Sequence, residues 1–300
     1  MALSEIPLSV WRTRGQSFTF RGHDIRYWVG GQGEPLLLVH GFPTASWDWH
    51  YLWQPLALRY RVIACDMLGF GDSAKPRDHD YRLLEQADLQ QALLEHLQVR
   101  QPVHVLAHDY GDSVAQELLA RHHEKNFDMA SCVFLNGGLF PETHRPVLLQ
   151  KLLLSPIGWM VGRLFDRDAL VKSFGEIFGL ETRPSESEMD DFWNLIASND
   201  GQRVIHRLIN YIPERVALRD RWVAAMQRGE VPLRVIVGAV DPVSGAHMVE
   251  RYRQLIADAD AVLLPRIGHY PQIEAPLQVL QHYLEFRSAV VDCYRQLAVS

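Results

Sequence analysis

Two aspartates and a histidine, Asp109, Asp241 and His269, are the residues whose types and order along the chain could carry out chemistry together. Each comes directly after a short apolar run that we predict to be a strand, and parallel sheets place reactive side chains at the carboxyl ends of their strands. An aspartate is ionised at neutral pH and can attack carbon directly. A histidine can act as a general base when a buried carboxylate holds its tautomer and stabilises its cation. We therefore predict Asp109 as nucleophile, His269 as base and Asp241 as the acid that orients His269.

The stretch 107–111, Ala-His-Asp-Tyr-Gly, predicts that Asp109 occupies a sharp turn between a strand and a helix. Ala107 and Gly111 flank Asp109 at the positions where the backbone folds back so tightly that only small side chains avoid a clash. The central residue of such a turn is strained and points outward. Ser113 is a second candidate nucleophile, but it lies a turn further on, inside the predicted helix. We therefore place the nucleophile at Asp109.

An aspartate at this turn, rather than a serine, limits the reaction. Attack of Asp109 on an ester carbonyl would give a mixed anhydride, which is higher in energy than the substrate. Attack on a saturated carbon that carries a leaving group gives a stable alkyl ester, which water activated by His269 then hydrolyses. The backbone N–H groups of Phe42 and Tyr110 are the predicted oxyanion hole for that hydrolysis. The fitting leaving groups are an epoxide oxygen, which needs an acid, and a halide, which needs N–H donors.

The elements that must position these residues follow from the pattern of apolar runs. We predict opening strands at 18–20 and 25–28, followed by strands at 36–39, 62–65, 103–106, 131–135, 233–237 and 262–264. Helical periodicity lies between them, at 83–97 and 112–122, and again at 246–256 and 277–290. This alternation predicts a doubly wound, mostly parallel α/β sheet.

The alternation of strands and helices stops between residues 139 and 229, where the pattern is helical throughout. Segments at 148–154, 192–196, 205–212 and 222–226 are predicted helices, and Ser185 and Glu188 have the spacing of a helix-starting capping box. We therefore divide the chain into a first part of the core at 1–138, a helical lid at 139–229 and a second part of the core at 230–300.

Composition excludes several classes of function. The net charge of -6, with scattered Lys and Arg, predicts no nucleic-acid partner. The apolar runs are too short for a membrane-spanning helix, and the first residues do not have the pattern of a signal peptide. Cys65, Cys132 and Cys293 are far apart and lack metal-ligand spacing. We expect a cytoplasmic protein without a membrane anchor, metal or cofactor, which binds a small hydrophobic substrate and for which a homodimer is one option.

Several motifs resemble the epoxide hydrolase and haloalkane dehalogenase branch of the α/β-hydrolases. They are HGFP, DMLGFGDS, HDYG, DPV and GHYPQIEAP, spread from about residue 20 to residue 286. The resemblance implies an α/β-hydrolase fold and the same nucleophile–acid–histidine order. Dehalogenases typically have Trp after the nucleophile and Asn after the His-Gly pair, and both supply halide donors. Tyr110 and Phe42 stand at those positions here.

A longer resemblance includes the predicted lid. The segments HDYGDSVAQELL, NGGLFPETHRPVLLQKLL and TRPSESEMDDFW are similar to the mesoderm-specific transcript protein group and its bacterial relatives. That group is usually described as α/β-hydrolases without an assigned substrate. The resemblance therefore implies a relative and a fold rather than a particular reaction.

Epoxide hydrolases hold the epoxide oxygen with two lid tyrosines, and Tyr211 lies where the second of them usually occurs. The predicted lid has no other tyrosine, so His144, Trp159 or Asn210 would have to supply the remaining donor. We assign His40, His144 and Trp159 to substrate binding and Tyr211 to proton donation.

Three hypotheses remain. The first is an epoxide hydrolase that makes a vicinal diol. The second is a haloalkane dehalogenase or other hydrolase, which would release halide and would not depend on the phenol of Tyr211. The third is a binding protein without catalytic activity, in which Asp109→Asn would leave binding unchanged.

Overall fold

The computed structural model describes the backbone of residues 3–297 and the side chains of residues 3–291, so the side chain of Cys293 lies outside the described residues. The strands of this part are β1 (Gln16–Phe20), β2 (His23–Gly30), β3 (Pro35–Val39), β4 (Arg61–Cys65), β5 (Val103–His108), β6 (Met129–Leu135), β7 (Leu233–Gly238) and β8 (Ala261–Leu264). The helices are α1 (Leu8–Arg14), α2 (Trp53–Ala57), α3 (Leu83–His96), α4 (Tyr110–His123), α5 (Leu148–Leu153), α6 (Gly158–Leu164), α7 (Arg167–Ile177), α8 (Glu186–Ala197), α9 (Ile205–Leu208), α10 (Tyr211–Gln227), α11 (Ala246–Leu255), α12 (Pro271–Glu274) and α13 (Pro276–Leu297).

The strands form one sheet in the order β1-β2-β4-β3-β5-β6-β7-β8. The contacts of β2 with β1 and β4 are antiparallel, and all other neighbours are parallel. Strands β3 and β5 are buried at every position because helices cover both faces of the sheet, which explains their continuous apolar sequence. The predicted doubly wound, mostly parallel sheet is confirmed.

Some predicted boundaries were wrong at the first hairpin. We expected the turn between the opening strands to include His23 and Asp24, but both residues pair with β1. The turn consists of Arg21 and Gly22, which both have positive φ. A hairpin this tight takes only two residues, so the strand extends further toward the turn than its apolar residues indicate.

The chain between β6 and β7 is helical in the structure, with α5–α10 and short 3-10 turns at Pro141–Thr143 and Ser198–Arg203. Ser185 and Glu188 form the predicted capping box at the start of α8. Two predicted boundaries were wrong. The segment 205–212 is split at Asn210, and the rest of it continues through 222–226 as the single helix α10. This happens because α10 packs along α4 of the core over its length, a contact that local periodicity does not reveal.

The core follows the sheet and contains Cys65 and Cys132 as buried free thiols, as predicted for two cysteines in strands. None of the helices in residues 3–297 combines the length and apolar character that crossing a bilayer requires.

Candidate active site

Asp109 occupies a strained backbone position between β5 and α4. Its φ of 47° and ψ of -104° lie outside the regions that ordinary residues prefer. Gly111 makes this turn feasible, because a Cβ there would overlap the carbonyl oxygens of Val39 and His40 at the end of β3. The turn therefore holds the carboxylate of Asp109 at the carboxyl edge of the sheet, which is the sharp strand-to-helix geometry that we predicted from Ala107 and Gly111.

Asp241 and His269 form a buried, directly bonded pair. Nδ1 of His269 lies 2.8 Å from Oδ2 of Asp241, and both residues are nearly inaccessible to solvent. The side chains of Asn136 and Ser244 donate to the same carboxylate oxygen at 2.9 and 2.8 Å. The backbone N–H of Val243 donates to Oδ1 at 2.8 Å. These bonds fix the carboxylate so that it can hold Nδ1 of His269 protonated and leave Nε2 free.

The other ring nitrogen of His269, Nε2, faces the carboxylate of Asp109. Nε2 lies 3.9 Å from Oδ2 of Asp109, a separation too long for a hydrogen bond. The backbone N–H of Phe42 donates to the same oxygen at 3.1 Å. Tyr110 is the first residue of α4, and first-turn N–H groups have no partner within a helix. The structure thus brings together all five residues that we predicted as triad and oxyanion hole, namely Asp109, Asp241, His269, Phe42 and Tyr110.

The charges of the triad stabilise one another despite burial. Burial alone would raise the pKa of Asp109, but the charges of His269 and Arg215 outweigh it and hold that pKa well below its usual range. Burial would also lower the pKa of His269, and the charges of Asp241 and Asp109 instead raise it to about 10. The pKa of Asp241 is lowered, because His269 and the amide of Asn136 outweigh its burial. At neutral pH the free site therefore holds an ionised Asp109 beside a protonated His269.

Tyr211 lies beside this group at the start of α10 and is fully buried. Its ring packs against the rings of Phe42 and Tyr110, at centroid distances of 5.7 and 5.2 Å. The side-chain amide of Gln150 donates to the phenol oxygen at 3.1 Å. Because that oxygen accepts a hydrogen bond, its own O–H remains available to donate. Burial, followed by the charge of Asp109, raises the pKa of Tyr211, so the phenol keeps its proton at neutral pH.

The three residues that we assigned to substrate binding differ in where they lie. Nδ1 of His40 lies 2.8 Å from the Gly41 carbonyl, and Nε2 accepts from the Met67 N–H at 3.0 Å, so both ring nitrogens are occupied by backbone. Trp159 is 52% exposed on α6 and is not part of the cavity lining. His144 is close to the nucleophile, and both its ring nitrogens are buried without a hydrogen-bond partner among the described residues.

Sequence reasoning missed Arg215 and assigned no function to Asn136. Arg215, on α10, is 1% exposed, and its Nη2 donates to the backbone oxygen of Asp109 at 2.8 Å. The same atom lies 3.5 Å from Oδ1 of Asp109, and Nε donates to Oγ of Ser113 at 2.6 Å. Ser113 is therefore a partner of this guanidinium. A local pattern could not have revealed Arg215, because arginine in a helix is ordinarily a surface residue.

A small closed cavity of about 30 Å³ lies against Asp109 and His269. Core residues line one side, and the helical segment closes the other with the apolar side chains of Val147, Leu149, Phe165, Leu170, Phe174 and Ile177. A volume of this size holds about one or two water molecules. A larger cleft of about 710 Å³ includes Glu34, His104 and Arg287 at the opposite edge of the sheet. We place the candidate site at the smaller cavity because, of the two, only that one is lined by Asp109 and His269.

One surface group could offer metal ligands, His122, His123 and Glu230, whose ligand atoms lie within 4.8 Å of one another in the described part of the chain. His123 already directs its ring nitrogens at Glu230 and at the Ala225 carbonyl, 3.2 and 2.9 Å away. None of these residues lines the cavity beside Asp109. The chemistry available at the candidate site comes from side chains and backbone N–H groups.

Comparisons with known proteins identify the family to which this fold belongs. A family model for the alpha/beta hydrolase fold matches residues 34–276, and the chain belongs to this family. The mesoderm-specific transcript protein of Mus musculus is 43% identical over 295 residues, which cover 93% of this chain and 87% of that protein. The predicted resemblance to that group is confirmed.

The more distant matches are proteins with several different functions. The cis-3-alkyl-4-alkyloxetan-2-one decarboxylase of Shewanella oneidensis is 26% identical over 277 residues, which cover 88% of this chain and 85% of that protein. The solved structure of haloalkane dehalogenase DbeA from Bradyrhizobium elkani has a TM-score of 0.78 at 21% identity and covers 93% of this chain and 99% of that chain. At this level of identity the likeness concerns the fold alone.

Proposed function

We propose that this protein is a hydrolase that forms an alkyl ester on Asp109, and that its substrate is a hydrophobic epoxide, which it converts to a vicinal diol. The observation that carries the proposal is an ionised carboxylate at the strained turn, with Nε2 of His269 3.9 Å away and the Phe42 N–H bonded to it. A serine hydrolase needs a base to create its nucleophile, whereas Asp109 is ionised from the start.

In the first step, Asp109 attacks a ring carbon of the epoxide and the C–O bond breaks with its electron pair on oxygen. The phenol of Tyr211 donates the proton that this oxygen takes up, since its O–H is not used by Gln150. In the second step, water passes a proton to His269 and attacks the ester carbonyl, whose oxygen the N–H groups of Phe42 and Tyr110 stabilise. The ester C–O bond then breaks, the leaving oxygen takes the proton from His269, and the other proton of the water returns to Tyr211, which restores the Asp109 carboxylate and releases the diol. The Shewanella oneidensis relative is named for an oxetan-2-one, also a strained oxygen ring, which supports a ring C–O bond as the bond that breaks.

The two steps need His269 in different states, and the site supplies them in order. Asp109 loses its negative charge when it becomes an ester. The charge of Asp109 is one of the causes that raise the pKa of His269, so this pKa falls in the intermediate. His269 therefore gives up its proton more readily in the intermediate than in the free site, and its unprotonated form can accept the proton of the attacking water.

We also propose the division into core segments 1–138 and 230–300 with a lid at 139–229. Support comes from the lining of the cavity, which includes residues of α5 and α7 together with Val147 before α5 and Phe165 before α7. The apolar lining fits a hydrophobic substrate. A cytoplasmic location and a homodimer stay predictions.

Trapping the ester tests the proposal. His269→Gln keeps a polar side chain but removes the base, so the chain is expected to stop at the ester. After incubation with a panel of epoxides and haloalkanes, intact-protein mass spectrometry should show an increase equal to one whole epoxide, and peptide mapping should place it on Asp109. The double variant Asp109→Asn/His269→Gln is the matched control and should show no adduct.

The same experiment separates the alternatives. An alkyl adduct with released halide would identify a dehalogenase. Tyr211→Phe would then leave turnover nearly unchanged, whereas for an epoxide it should lower the rate by on the order of 100-fold or more, the usual contribution of a general acid. Adduct-free protein from a broad panel, together with inactive wild type, would contradict the proposed function and favour a binding role.

A further inference from the structure

Arg215 is a buried cation whose hydrogen-bonding capacity is only partly used. Its Nε and Nη2 donate to Ser113 and to the backbone oxygen of Asp109, at 2.6 and 2.8 Å, and these bonds fix the guanidinium on the strained turn. Its remaining nitrogen, Nη1, is buried and has no partner among the described residues. Leaving buried N–H groups of a charged side chain unpaired is costly, so an unpaired Nη1 beside a nucleophile points to a ligand.

His144 directs a second set of unpaired nitrogens to the same place. A Cβ built on Gly138 would lie 2.6 Å from Nη1 of Arg215 and 3.2 Å from Nδ1 of His144, so the two nitrogens lie against the same side of Gly138. Neither ring nitrogen of His144 has a partner among the described residues. Burial, followed by the charge of Arg215, lowers the pKa of His144 to about 4, so the ring is neutral and donates one hydrogen bond.

The charges around Arg215 indicate at which stage of the reaction an anionic ligand would bind beside it. The cations of Arg215 and His269 stand against the anions of Asp109 and Asp241. Burial, followed by the charge of Asp109, raises the pKa of Asp112 well above its usual range, which disfavours a further anion at that position. Attack by Asp109 turns its carboxylate into a neutral ester and transfers the negative charge to the departing group. The guanidinium, 3.5 Å from Oδ1 of Asp109, then lacks a partner unless an anion of the substrate stays beside it.

We propose that Nη1 of Arg215 and the imidazole of His144 form an oxyanion subsite next to the nucleophile. The subsite takes an anionic oxygen of the substrate, which is either the oxygen released from the attacked carbon or a carboxylate that the substrate carries permanently. In the first case Asp109 supplies an electron pair to carbon, the C–O bond breaks with its electron pair on oxygen, and Arg215 holds that oxygen until the phenol of Tyr211 protonates it. This role rests on the proposed function, because it takes Asp109 as the nucleophile.

Binding measurements test the subsite without turnover. Asp109→Asn gives the site the net charge of the ester intermediate. Titration calorimetry of this variant at pH 7 should show hexanoate binding at least tenfold more tightly than the neutral hexanamide. Gly138→Ala in the same background places a methyl group against the two nitrogens and should abolish the preference. Gly175→Ala is the matched control, since nothing lies within 4 Å of a Cβ at that position, and it should retain the preference.

The wild-type chain separates the two sources of the anion. Preference for hexanoate in wild type as well as in Asp109→Asn would identify a permanent carboxylate, because binding then tolerates the charge of Asp109. Preference in Asp109→Asn alone would identify the released oxygen. Equal binding of hexanoate and hexanamide in both proteins, or a preference that survives Gly138→Ala, would overturn the subsite.

The rate of ester formation connects the subsite to the reaction. In the His269→Gln background, Gly138→Ala should slow formation of the ester from an epoxide at least tenfold, while Gly175→Ala should not change it. If Gly138→Ala fails to fold, as judged by its thermal transition, His144→Leu replaces it in both arms with the same expectations. If no epoxide forms an ester in any variant, the proposed function fails, whereas the hexanoate titration still decides whether the subsite exists.

Discussion

At the scale of single residues, the site depends on Asp241, whose carboxylate accepts hydrogen bonds and is not the group that we propose to react. Asp241 has its oxygens occupied by His269, Asn136, Ser244 and Val243. This set of donors keeps it ionised although it is buried, and the resulting anion supports the cation of His269. The contrast with Asp109 follows from surroundings alone, since Asp109 keeps an oxygen directed at the cavity.

Asp241→Asn tests this dependence. The amide is close in size but has no charge, and it can donate to Nδ1 and so favour the wrong tautomer of His269. We expect the pKa of His269 to fall from its raised value toward the ordinary range, as measured by NMR titration of the imidazole. Hydrolysis of the ester should slow by on the order of 100- to 10,000-fold. An unchanged pKa of His269 would contradict the role given to Asp241.

At the scale of elements, α10 packs against α4 of the core although it lies within the segment that we propose as a lid. Glu117 on α4 accepts hydrogen bonds from Arg221 and Trp222 on α10, each at 2.9 Å, and from Arg121 on its own helix at 2.9 Å. This buried junction holds Tyr211 and Arg215 at fixed positions beside the nucleophile. Apolar residues of α5 and α7 line the cavity from the other side, so access to the cavity depends on these two helices.

Helix α4 lies against the end of β3 at Gly111, and we expect a larger side chain at this contact to disturb the site strongly. Gly111→Val would press two methyl groups into the Val39 and His40 carbonyls, which are backbone atoms and cannot move aside. We expect a loss of about 1–3 kcal/mol in the free energy of unfolding, measured by urea denaturation, and loss of ester formation in whatever folds. Gly175→Ala, which fills open space, should leave both quantities close to those of the wild type.

At the scale of the whole molecule, the buried charges make stability depend on pH. The raised pKa of His269, about 10, means that the folded chain binds a proton that the unfolded chain releases near pH 6.5. The stabilisation is therefore fully present below about pH 6.5 and is lost as the pH rises through about 10. The lowered pKa values of Asp109 and Asp241 affect stability at acidic pH. The stabilisation that they contribute is lost as the pH falls below the ordinary carboxyl range.

Unfolding measurements between pH 6.5 and pH 9.5 test this prediction. The free energy of unfolding of wild type minus that of His269→Gln should decrease across this range. The subtraction is needed because burial lowers the pKa of Lys75 to about 8, which makes stability rise with pH in the same window. Lys75 is present in both proteins and its effect cancels. A difference that is constant with pH would show that His269 is not protonated in the folded chain.

Much of the fold and the triad could be predicted because the constraints are local. Continuous apolar runs specify strands that are buried on both faces, and their alternation with helical periodicity specifies a parallel sheet. The turn at Asp109 was predictable from Ala107 and Gly111, since a tight turn excludes larger side chains. Given these elements, the carboxyl ends of the strands bring Asp109, Asp241 and His269 to one edge.

The sequence alone thus determined the sheet and the strained turn at Asp109, and it predicted that carboxylate as a nucleophile. The tertiary structure decided which further residues reach the carboxylate. Arg215 contacts Asp109, which lies 106 residues before it in the chain. Both ring nitrogens of His40 are hydrogen-bonded to backbone groups. Such contacts depend on how α10 and the loops pack rather than on local propensity. For the same reason only the packed structure distinguished Trp159, on the surface, from His144, beside Arg215.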